Sequence, residues 1–149
     1  QVSSAASDVY KRQMPDYVIS KVADALNDEG KAIKGSKVLI LGLAYKANVD
    51  DCRESPSFVL MDKLESKGAT VEYNDSFVPV VPPTREHADF TDKQSVDIED
   101  AYDLILVSTD HAEYKTFDFT GYSCPLVDSR NCISKKPQKY YHAWVKNTW

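Results

Sequence analysis

The sequence predicts an α/β fold, a doubly wound and mainly parallel Rossmann-like sheet with helices on both faces, preceded by one long helix. Three observations support this fold class. Short apolar runs of the kind found in strands buried on both faces recur along the chain. Segments with apolar residues at helical spacing precede and separate these runs. Strands that alternate with helices in this way form parallel sheets.

The apolar pattern and the turn residues predict the elements in order. A first helix begins at Pro15, which suits a first helical turn, and ends at Gly35. Ser55 caps a second helix, Pro56 occupies its first position, and Gly68 ends it. The predicted strands are KVLIL (37–41), TVEY (70–73), LILV (104–107) and PLV (125–127). A long connection with one short helix joins the second strand to the third.

Composition excludes several classes of function. The 149 residues suffice for one domain, and the net charge of −5 argues against a nucleic-acid partner. No apolar run approaches the roughly 20 residues that cross a membrane, and no secretory signal is present, so we expect a cytoplasmic protein without a membrane partner. The three cysteines are odd in number and lack C-x-x-C spacing, which indicates neither a disulfide framework nor a metal site.

Candidate ligand-binding residues follow the predicted strands, because ligands of such folds bind outside the carboxyl ends of the strands. Tyr45 and Lys46 follow the first strand, Arg53 lies farther along the same connection, and Arg130 follows the last strand. Lysine and arginine both suit phosphate oxygens, which favours a diphosphate site. The alternative is that the two arginines form structural ion pairs with neighbouring carboxylates, namely Asp50, Asp51 and Asp128.

No catalytic constellation is visible in the sequence. Gly42 has no glycine two residues later, so the dinucleotide fingerprint is absent and the usual Rossmann binding of NAD is not expected. Asp75 follows the second strand and is interpreted as a turn residue. Asp110 and Glu113 resemble a capping box that opens a short helix, an interpretation that we prefer to a catalytic Asp110–His111 pair.

The segment from Ile40 to Asp75 closely resembles the C-terminal domain of the UDP-glucose/GDP-mannose dehydrogenase family. Its marks are GLAYK (42–46) at the end of a strand and D-x-R-E-S-P (51–56) at the start of the next helix. Similar segments elsewhere are MPDYVISKVADALN, PTREHADF, SVDI, YDLILVSTDHAEY and LVDSRN. PTREH and STDHAEY are most similar to the bacterial branch that acts on UDP-N-acetylhexosamines, with UDP-glucose as the close alternative.

The resemblance implies roles for the candidate residues. Family members oxidise the sugar C6 alcohol to a carboxylate in two NAD-dependent steps, through a thioester on a cysteine, and the acids feed polysaccharide synthesis. By this resemblance Tyr45 and Lys46 contact the nucleotide-sugar, Arg130 reaches its uridine diphosphate side, and Arg53 reaches NAD bound on another domain. The NAD domain and the cysteine in its G-G-H-C-I-P setting are missing from this sequence, so we expect no catalytic residue in it.

With this resemblance the chain divides into four parts. Residues 1–13 show no periodicity and are interpreted as a non-native leader. Residues 14–35 form a helix from a central inter-domain region, with an apolar face that the domain only partly covers. Residues 36–133 form the nucleotide-sugar-binding C-terminal domain, and residues 134–149 are an unassigned tail.

We therefore expect a UDP-sugar-binding fragment that is inactive alone. Its partners would be the missing NAD-binding and central helical domains, in a homo-oligomeric parent. Two alternatives stay open. One is a stand-alone nucleotide-binding or regulatory module, and the other is a structural interaction domain.

Overall fold

The computed structural model describes residues 3–143 of the chain, with side chains from residue 14 onward. Its elements are α1 (Ser3–Asp28), β1 (Lys37–Leu41), α2 (Pro56–Ser66), β2 (Thr70–Asn74), β3 (Leu104–Val107), α3 (Ala112–Thr116), β4 (Leu126–Asp128) and β5 (Tyr140–His142). One turn of 3-10 helix, Ala88–Phe90, lies in the connection between β2 and β3, where the sequence predicts one short helix.

The five strands form one parallel sheet in the order β2-β1-β3-β4-β5. The chain runs outward from β1 to β2 and then returns past β1 to β3, so the direction of winding reverses between β1 and β3. In folds of this kind, ligands bind at such a reversal, beyond the carboxyl ends of the strands. The predicted fold class, a doubly wound parallel sheet with helices, is confirmed.

The two central strands separate two hydrophobic cores. Residues 38–41 of β1 and 104–107 of β3 have no exposed surface. Successive side chains point to opposite faces of a sheet. Val38 and Ile40 therefore pack with α1 and α2 on one face. Leu39 and Leu41 pack on the other face with Tyr114 of α3. Helices thus cover both faces, although within residues 3–143 the second face carries the five-residue α3 and loops and no longer helix.

Helix α2 begins as its sequence predicts. Ser55 has extended backbone dihedral angles, and its side chain accepts a hydrogen bond from the Ser57 amide at 3.2 Å. Pro56 occupies the first turn, where a missing N–H leaves no hydrogen bond unmade. The helix ends at Ser66, before Gly68, and buries Phe58 and other apolar residues against the sheet.

Helix α1 differs from its prediction at both ends. It begins at Ser3 and ends at Asp28, so residues 3–13 are helical and Pro15 lies inside the helix instead of at its start. The interpretation of residues 1–13 as a non-native leader stays a prediction. Apolar periodicity is only one source of helix. Residues 3–13 contain no glycine or proline and several strong helix formers, whose intrinsic propensity favours the same structure. The fixed φ of proline is compatible with a helix, although it removes one backbone donor.

The apolar face of α1 is covered by the domain itself. Val18, Val22 and Leu26 have no exposed surface, and Lys63 of α2 forms an ion pair with Asp16 at 2.9 Å. The expectation of a partly uncovered face is therefore wrong for these residues. The physical reason is that α1 and α2 lie side by side on the same face of the sheet, so each covers the other's apolar residues.

Two differences concern the C-terminal part. β4 comprises residues 126–128 rather than 125–127, a shift of one residue. Within the tail, Tyr140–His142 form β5 and pair in parallel with β4, so this part of the tail completes the sheet edge. Over residues 3–143, the structure contains no helix that combines the length and the apolar character needed to span a membrane.

Candidate functional site

The predicted ligand-binding residues lie at the carboxyl edge of the sheet. Because the strands are parallel, the connections that follow β1, β3 and β4 all start at this edge. We call residues 42–48 the β1 loop and residues 129–133 the β4 loop. The β1 loop carries Tyr45 and Lys46, and the β4 loop carries Arg130. The strands β1 and β4 flank β3, so the two loops lie on either side of the residues that follow β3.

Tyr45 and Lys46 face solvent at the middle of the β1 loop. Tyr45 is 41% exposed, and the Lys46 Nζ lies 5.5 Å from the centre of the Tyr45 ring, within cation–π range. Exposed cation–π pairs contribute only about 0.5–1 kcal/mol, so this contact does not fix the two side chains strongly. The pair therefore offers an accessible positive charge beside an aromatic surface.

The ends of the β1 loop are anchored, in contrast to its middle. The carboxylate of Asp75, which follows β2, accepts hydrogen bonds from the amides of Leu43 at 2.7 Å and Ala44 at 2.9 Å. Thr109, which follows β3, donates its hydroxyl hydrogen to the Ala44 carbonyl at 2.6 Å. The start of the loop is thus held from the neighbouring strands on both sides of β1.

His111 holds the other end of the β1 loop. Its Nδ1 accepts a hydrogen bond from the Asn48 amide at 2.8 Å, and its Nε2 lies 2.8 Å from the Asp75 carboxylate. Asn48 adopts a left-handed φ of 61°, which asparagine tolerates better than most residues. Its side-chain oxygen accepts from the Ala112 amide at 3.0 Å, so Asn48 caps α3.

These contacts correct two interpretations from the sequence. Asp110 does not open α3 as the first residue of a capping box, because His111 occupies the N-cap position and Asn48 supplies the capping oxygen. Asp75 does accept from the Phe77 amide at 2.8 Å, as a turn residue would. It is also fully buried and joins three connections, a role that its position in the sequence does not reveal. The available signal was that Asp75 and His111 both follow strands.

The Asp75 carboxylate is ionised despite its burial. Removal from water would raise its pKa, but the hydrogen bonds from His111, Ala44 and Leu43 lower it, and the net pKa lies below the usual value. A carboxylate that accepts several N–H donors is favoured in its charged form. Asp75 therefore acts as a fixed negative charge that organises the β1 loop.

The β1 loop and the residues after β3 are in close contact. Gly42 has a φ of +94°, and a Cβ atom at this position would lie 2.3 Å from the Thr109 Cβ. Any side chain here would both strain the backbone and overlap Thr109. Ser57 of α2 donates to the Gly42 carbonyl at 2.8 Å and lies 2.6 Å from the Ser108 hydroxyl. The point between β1 and β3 is therefore filled by protein, and a ligand would lie above it.

The β4 loop is anchored by its own buried carboxylate. Asp128 accepts from the backbone amides of Arg130, Cys132 and Ile133 at 2.9–3.0 Å and from the Tyr140 hydroxyl at 2.8 Å. The Arg130 Nε donates to the Ser108 carbonyl at 3.0 Å, and burial lowers the pKa of its guanidinium. Arg130 is half-buried and held against the residues after β3, whereas Lys46 is exposed.

Arg53 lies at a different place from Lys46 and Arg130. Its guanidinium forms two hydrogen bonds with the Asp51 carboxylate, at 2.9 and 3.1 Å, and holds the pKa of that carboxyl at about 2. The ion-pair alternative therefore describes Arg53 in this structure. Its side chain is 83% exposed and borders an open cleft of about 950 Å³. The cleft is lined by Pro15, Tyr45, Asp51, Arg53, Glu54, Pro56, Phe58, Val59 and residues 83–87.

Tyr45 thus lies beside Lys46 and shares a cleft with Arg53. The four predicted residues, which include Arg130, do not all line one cavity. Neither Lys46 nor Arg130 lines the cleft that contains Tyr45 and Arg53. Lys46 and Arg130 share the carboxyl edge of the sheet, and the prediction that they face one ligand stays a prediction. Among the described residues, no group of three or more His, Cys, Asp or Glu side chains is arranged to hold a metal ion.

Comparison with known proteins identifies the family. Residues 39–135 match the family model described as "UDP-glucose/GDP-mannose dehydrogenase family, UDP binding domain". Over 125 residues the chain is 35% identical to the UDP-glucose 6-dehydrogenase YwqF of Bacillus subtilis, a match that covers 76% of this chain and 27% of that protein. It is 33% identical over 138 residues to a UDP-N-acetyl-D-mannosamine dehydrogenase of Methanococcus maripaludis, covering 89% of this chain and 30% of that one.

Comparison with solved structures points to the same group of proteins. The solved structure of a UDP-D-ManNAc dehydrogenase from Pyrococcus horikoshii superposes with a TM-score of 0.72 and 22% identity, over 89% of this chain and 31% of that chain. The chain spans less than a third of the length of these relatives. The matched segment runs from the middle of β1 to beyond β4 and contains both anchored loops. The chain therefore belongs to the UDP-glucose/GDP-mannose dehydrogenase family and corresponds to the UDP binding domain of that family.

Proposed function

We propose that this chain is the UDP-sugar-binding part of an NAD-dependent nucleotide-sugar 6-dehydrogenase, and that the oxidation takes place on domains outside this sequence. The observation that carries the proposal is the match of residues 39–135 to the family's UDP binding domain. That segment holds Tyr45, Lys46 and Arg130 on the two anchored loops at one edge of the sheet. These residues are the proposed contacts to the nucleotide-sugar, and Arg53 is the proposed contact to NAD.

The charge and position of the loops suit a diphosphate. Lys46 is an exposed ammonium on a loop with fixed ends, so it can approach a phosphate oxygen without reorganising the backbone. Arg130 is fixed by its bond to the Ser108 carbonyl and offers a planar set of donors. Tyr45 adds an aromatic surface next to Lys46. An exposed cation and a fixed one, on loops of the same edge, are suited to clamping one anionic ligand.

The cysteines support the view that chemistry lies elsewhere. Burial raises the pKa of the Cys124 and Cys132 thiols to about 12, and burial together with the Asp51 charge raises the pKa of Cys52. A thiol forms a thioester through its thiolate, which these three residues hardly populate near neutral pH. We therefore expect no NADH from the 149-residue chain with NAD and any UDP-sugar. NADH formation by the pure chain would contradict the proposal.

UDP binding can be tested by an NMR titration of the ¹⁵N-labelled chain. We expect a dissociation constant on the order of millimolar, because one domain encloses only part of the ligand, and still weaker binding of NAD. High salt should weaken UDP binding, since the contacts are ionic and exposed. Lys46→Ala and Arg130→Ala should each weaken it roughly tenfold, as expected for loss of a charged hydrogen bond. Lys67→Ala, at the opposite end of α2, should leave it unchanged.

The titration also separates this proposal from its competitor. The buried apolar face of α1 favours a domain that is complete by itself, as a stand-alone nucleotide-binding module would be. Such a module should bind UDP with micromolar affinity or better, since no other domain would help. Equal binding by wild type and both variants would place the site elsewhere. No binding by wild type at low salt would exclude the stand-alone module and leave UDP binding dependent on the other domains.

A further inference from the structure

The contacts of His111 define its protonation state. A backbone amide can only donate, so the Nδ1 atom that receives the Asn48 N–H must carry no proton. The remaining ring proton then lies on Nε2 and points at the Asp75 carboxylate, 2.8 Å away. His111 is therefore neutral in this arrangement, and its two ring nitrogens are committed to two different partners.

The surroundings hold the His111 ring in this orientation. It is fully buried, and the rings of Phe77 and Tyr114 pack against it at centre distances of 4.8 and 5.6 Å. The Tyr114 hydroxyl is itself held by a bond to the Asn74 carbonyl at 2.7 Å. The ring thus has contacts from the connection after β2, from α3 and from the β1 loop. It bridges a fixed carboxylate and a backbone amide.

The bridge fixes the end of the β1 loop. Asp75 binds the amides of Leu43 and Ala44 directly, and it binds Asn48 only through His111. Tyr45 and Lys46 lie between these two anchors. Without the ring, the Asn48 amide would lose its acceptor. Among the hydrogen bonds within the described residues, the second half of the loop would then keep the Tyr45 amide's bond to the Asp51 carbonyl at 2.9 Å and the Asn48 cap of α3.

We propose that His111, as the Nε2–H tautomer and together with Asp75, is a positioning residue for nucleotide binding, because it holds the β1 loop in the conformation that presents Tyr45 and Lys46. The inference rests on the proposed function for its effect on UDP. His111 does not touch the ligand in this scheme. It acts through Asn48, so its contribution to UDP affinity should be lost when its hydrogen bond to the Asn48 amide is lost, and kept when that bond is kept.

The tautomer can be measured on the wild-type chain without any substitution or ligand. Long-range ¹H–¹⁵N NMR correlations of the histidine ring distinguish a protonated nitrogen from an unprotonated one. We expect His111 to show a protonated Nε2 and an unprotonated Nδ1 at neutral pH, and the Asn48 amide to exchange slowly with solvent. A protonated Nδ1 at neutral pH would overturn the proposal, because that atom could not then accept from Asn48.

Two substitutions each keep one of the two hydrogen bonds of His111 and remove the other. In His111→Asn, the side-chain oxygen stands near the position of Nδ1 and can accept from the Asn48 amide, while the contact with Asp75 is lost. In His111→Gln, the amide nitrogen stands near Nε2 and can donate to Asp75, while the bond to Asn48 is lost. We expect His111→Gln to weaken UDP binding by roughly five- to tenfold, a net hydrogen bond's worth, and His111→Asn to weaken it less than about threefold.

Stability controls distinguish positioning from general damage. Both variants remove one buried hydrogen bond, so both should lower the urea midpoint by similar amounts, whereas UDP affinity should fall mainly in His111→Gln. Lys67→Ala, which changes an exposed side chain after α2, should affect neither. Equal UDP affinity of both variants and wild type would overturn the inference, and so would equal loss in the two variants.

The proposed function and this inference fail differently. If wild type does not bind UDP, the expected UDP binding by the isolated chain is contradicted, and the positioning role is still tested by the unliganded protein. In that case we expect exchange of the Asn48 and Tyr45 amides to accelerate by about tenfold in His111→Gln and much less in His111→Asn, as the loss of one hydrogen bond allows. Unchanged exchange in both variants would show that His111 does not hold the loop.

Discussion

The β1 loop and the β4 loop are both held in place by a buried carboxylate, but the groups that bind this carboxylate come from different parts of the chain. Each follows a buried strand, lies at the carboxyl edge of the sheet and carries a cation proposed to contact a diphosphate. Each is held by a carboxylate with no exposed surface, Asp75 for the β1 loop and Asp128 for the β4 loop. Each carboxylate accepts hydrogen bonds from at least three N–H groups.

The two loops differ in where the donors come from. The amides that bind Asp128 lie two, four and five residues away, and its Tyr140 partner lies 12 residues away. Two of the amides that bind Asp75 lie 31 and 32 residues away, and His111 lies 36 residues away. The β4 loop is therefore specified mostly by local sequence. The β1 loop acquires its shape only when β1, β2 and β3 are assembled.

Removing the two carboxylates is the strongest test of this difference. Asp75→Ala leaves two amides and a histidine from separate elements unsatisfied at the carboxyl edge of the sheet, and we expect a loss of about 3–5 kcal/mol in the free energy of unfolding, because each buried donor left without an acceptor costs about 1–3 kcal/mol. Asp128→Ala leaves donors that mostly belong to one short segment, which can open and admit water. We expect a loss of about 1–3 kcal/mol. Urea unfolding measures both values.

The conservative variants provide the controls. Asp75→Asn and Asp128→Asn each keep one acceptor oxygen in place, so each should lose less stability than the corresponding alanine variant. A larger loss for Asp128→Ala than for Asp75→Ala would contradict the distinction between a local and an assembled loop. Equal losses would show that burial alone, and not the separation of the donors in the chain, determines the cost.

Gly42 offers a second test, at the contact between the β1 loop and the residues after β3. Gly42→Ala should lower the free energy of unfolding by about 2–4 kcal/mol, because an alanine adds backbone strain at a φ of +94° and a methyl group that overlaps Thr109. Gly121 precedes β4, and a Cβ atom at Gly121 would have no neighbouring atom within 4 Å, so Gly121→Ala should change stability by less than about 0.5 kcal/mol. Thermal or urea unfolding of the two variants measures the contrast, and a Gly42→Ala variant as stable as wild type would mean that the β1 loop and Thr109 are not in fixed contact.

The same contrast explains what could be predicted from the sequence. The short apolar strands, the Ser55 cap of α2 and the residues at the carboxyl edge follow from local pattern, and the structure confirms the fold they predict. The roles of Asp75 and His111 could not be predicted from spacing, because their partners are brought together only by the order of the strands. β5 was missed because Tyr140–His142 is a three-residue edge strand that is only partly buried.

Helix α1 shows a second reason why the sequence alone does not predict the whole structure. Its full length includes residues 3–13, where helix formation rests on intrinsic propensity and not on an apolar face that a pattern would reveal. The burial of Val18 and Val22 depends on the position of α2, which only the assembled fold provides. Local pattern thus predicts which elements form, whereas their mutual positions determine which surfaces are covered and which polar groups meet.

The smallest expected effect concerns the pKa of the Cys132 thiol. Comparing it with the pKa of Cys52 tests how strongly the carboxylate of each loop acts on a neighbouring thiol. Burial, with the charges of Asp128 and Asp110, raises the pKa of Cys132 to about 12. Because the folded pKa lies above the unfolded one, the protonated thiol contributes stability that is complete below pH 9 and is lost as the pH rises towards 12. In the native chain at about pH 8, alkylation of Cys132 by iodoacetamide should be about a thousandfold slower than in the unfolded chain.

Charge-removing variants then show whether each loop's carboxylate acts on its neighbouring thiol. Asp128→Asn should lower the pKa of Cys132 and speed its alkylation several-fold, since Asp128 is the largest charge effect on that thiol. Asp75→Asn should change the alkylation of Cys52 less, because burial and the Asp51 charge raise the pKa of that thiol more than Asp75 does. Peptide mass spectrometry after timed alkylation separates the three cysteines. If Asp128→Asn left the rate at Cys132 unchanged while the fold stayed intact, burial and the Asp110 charge would account for the raised pKa, and the Asp128 charge would serve only to hold the β4 loop through its hydrogen bonds.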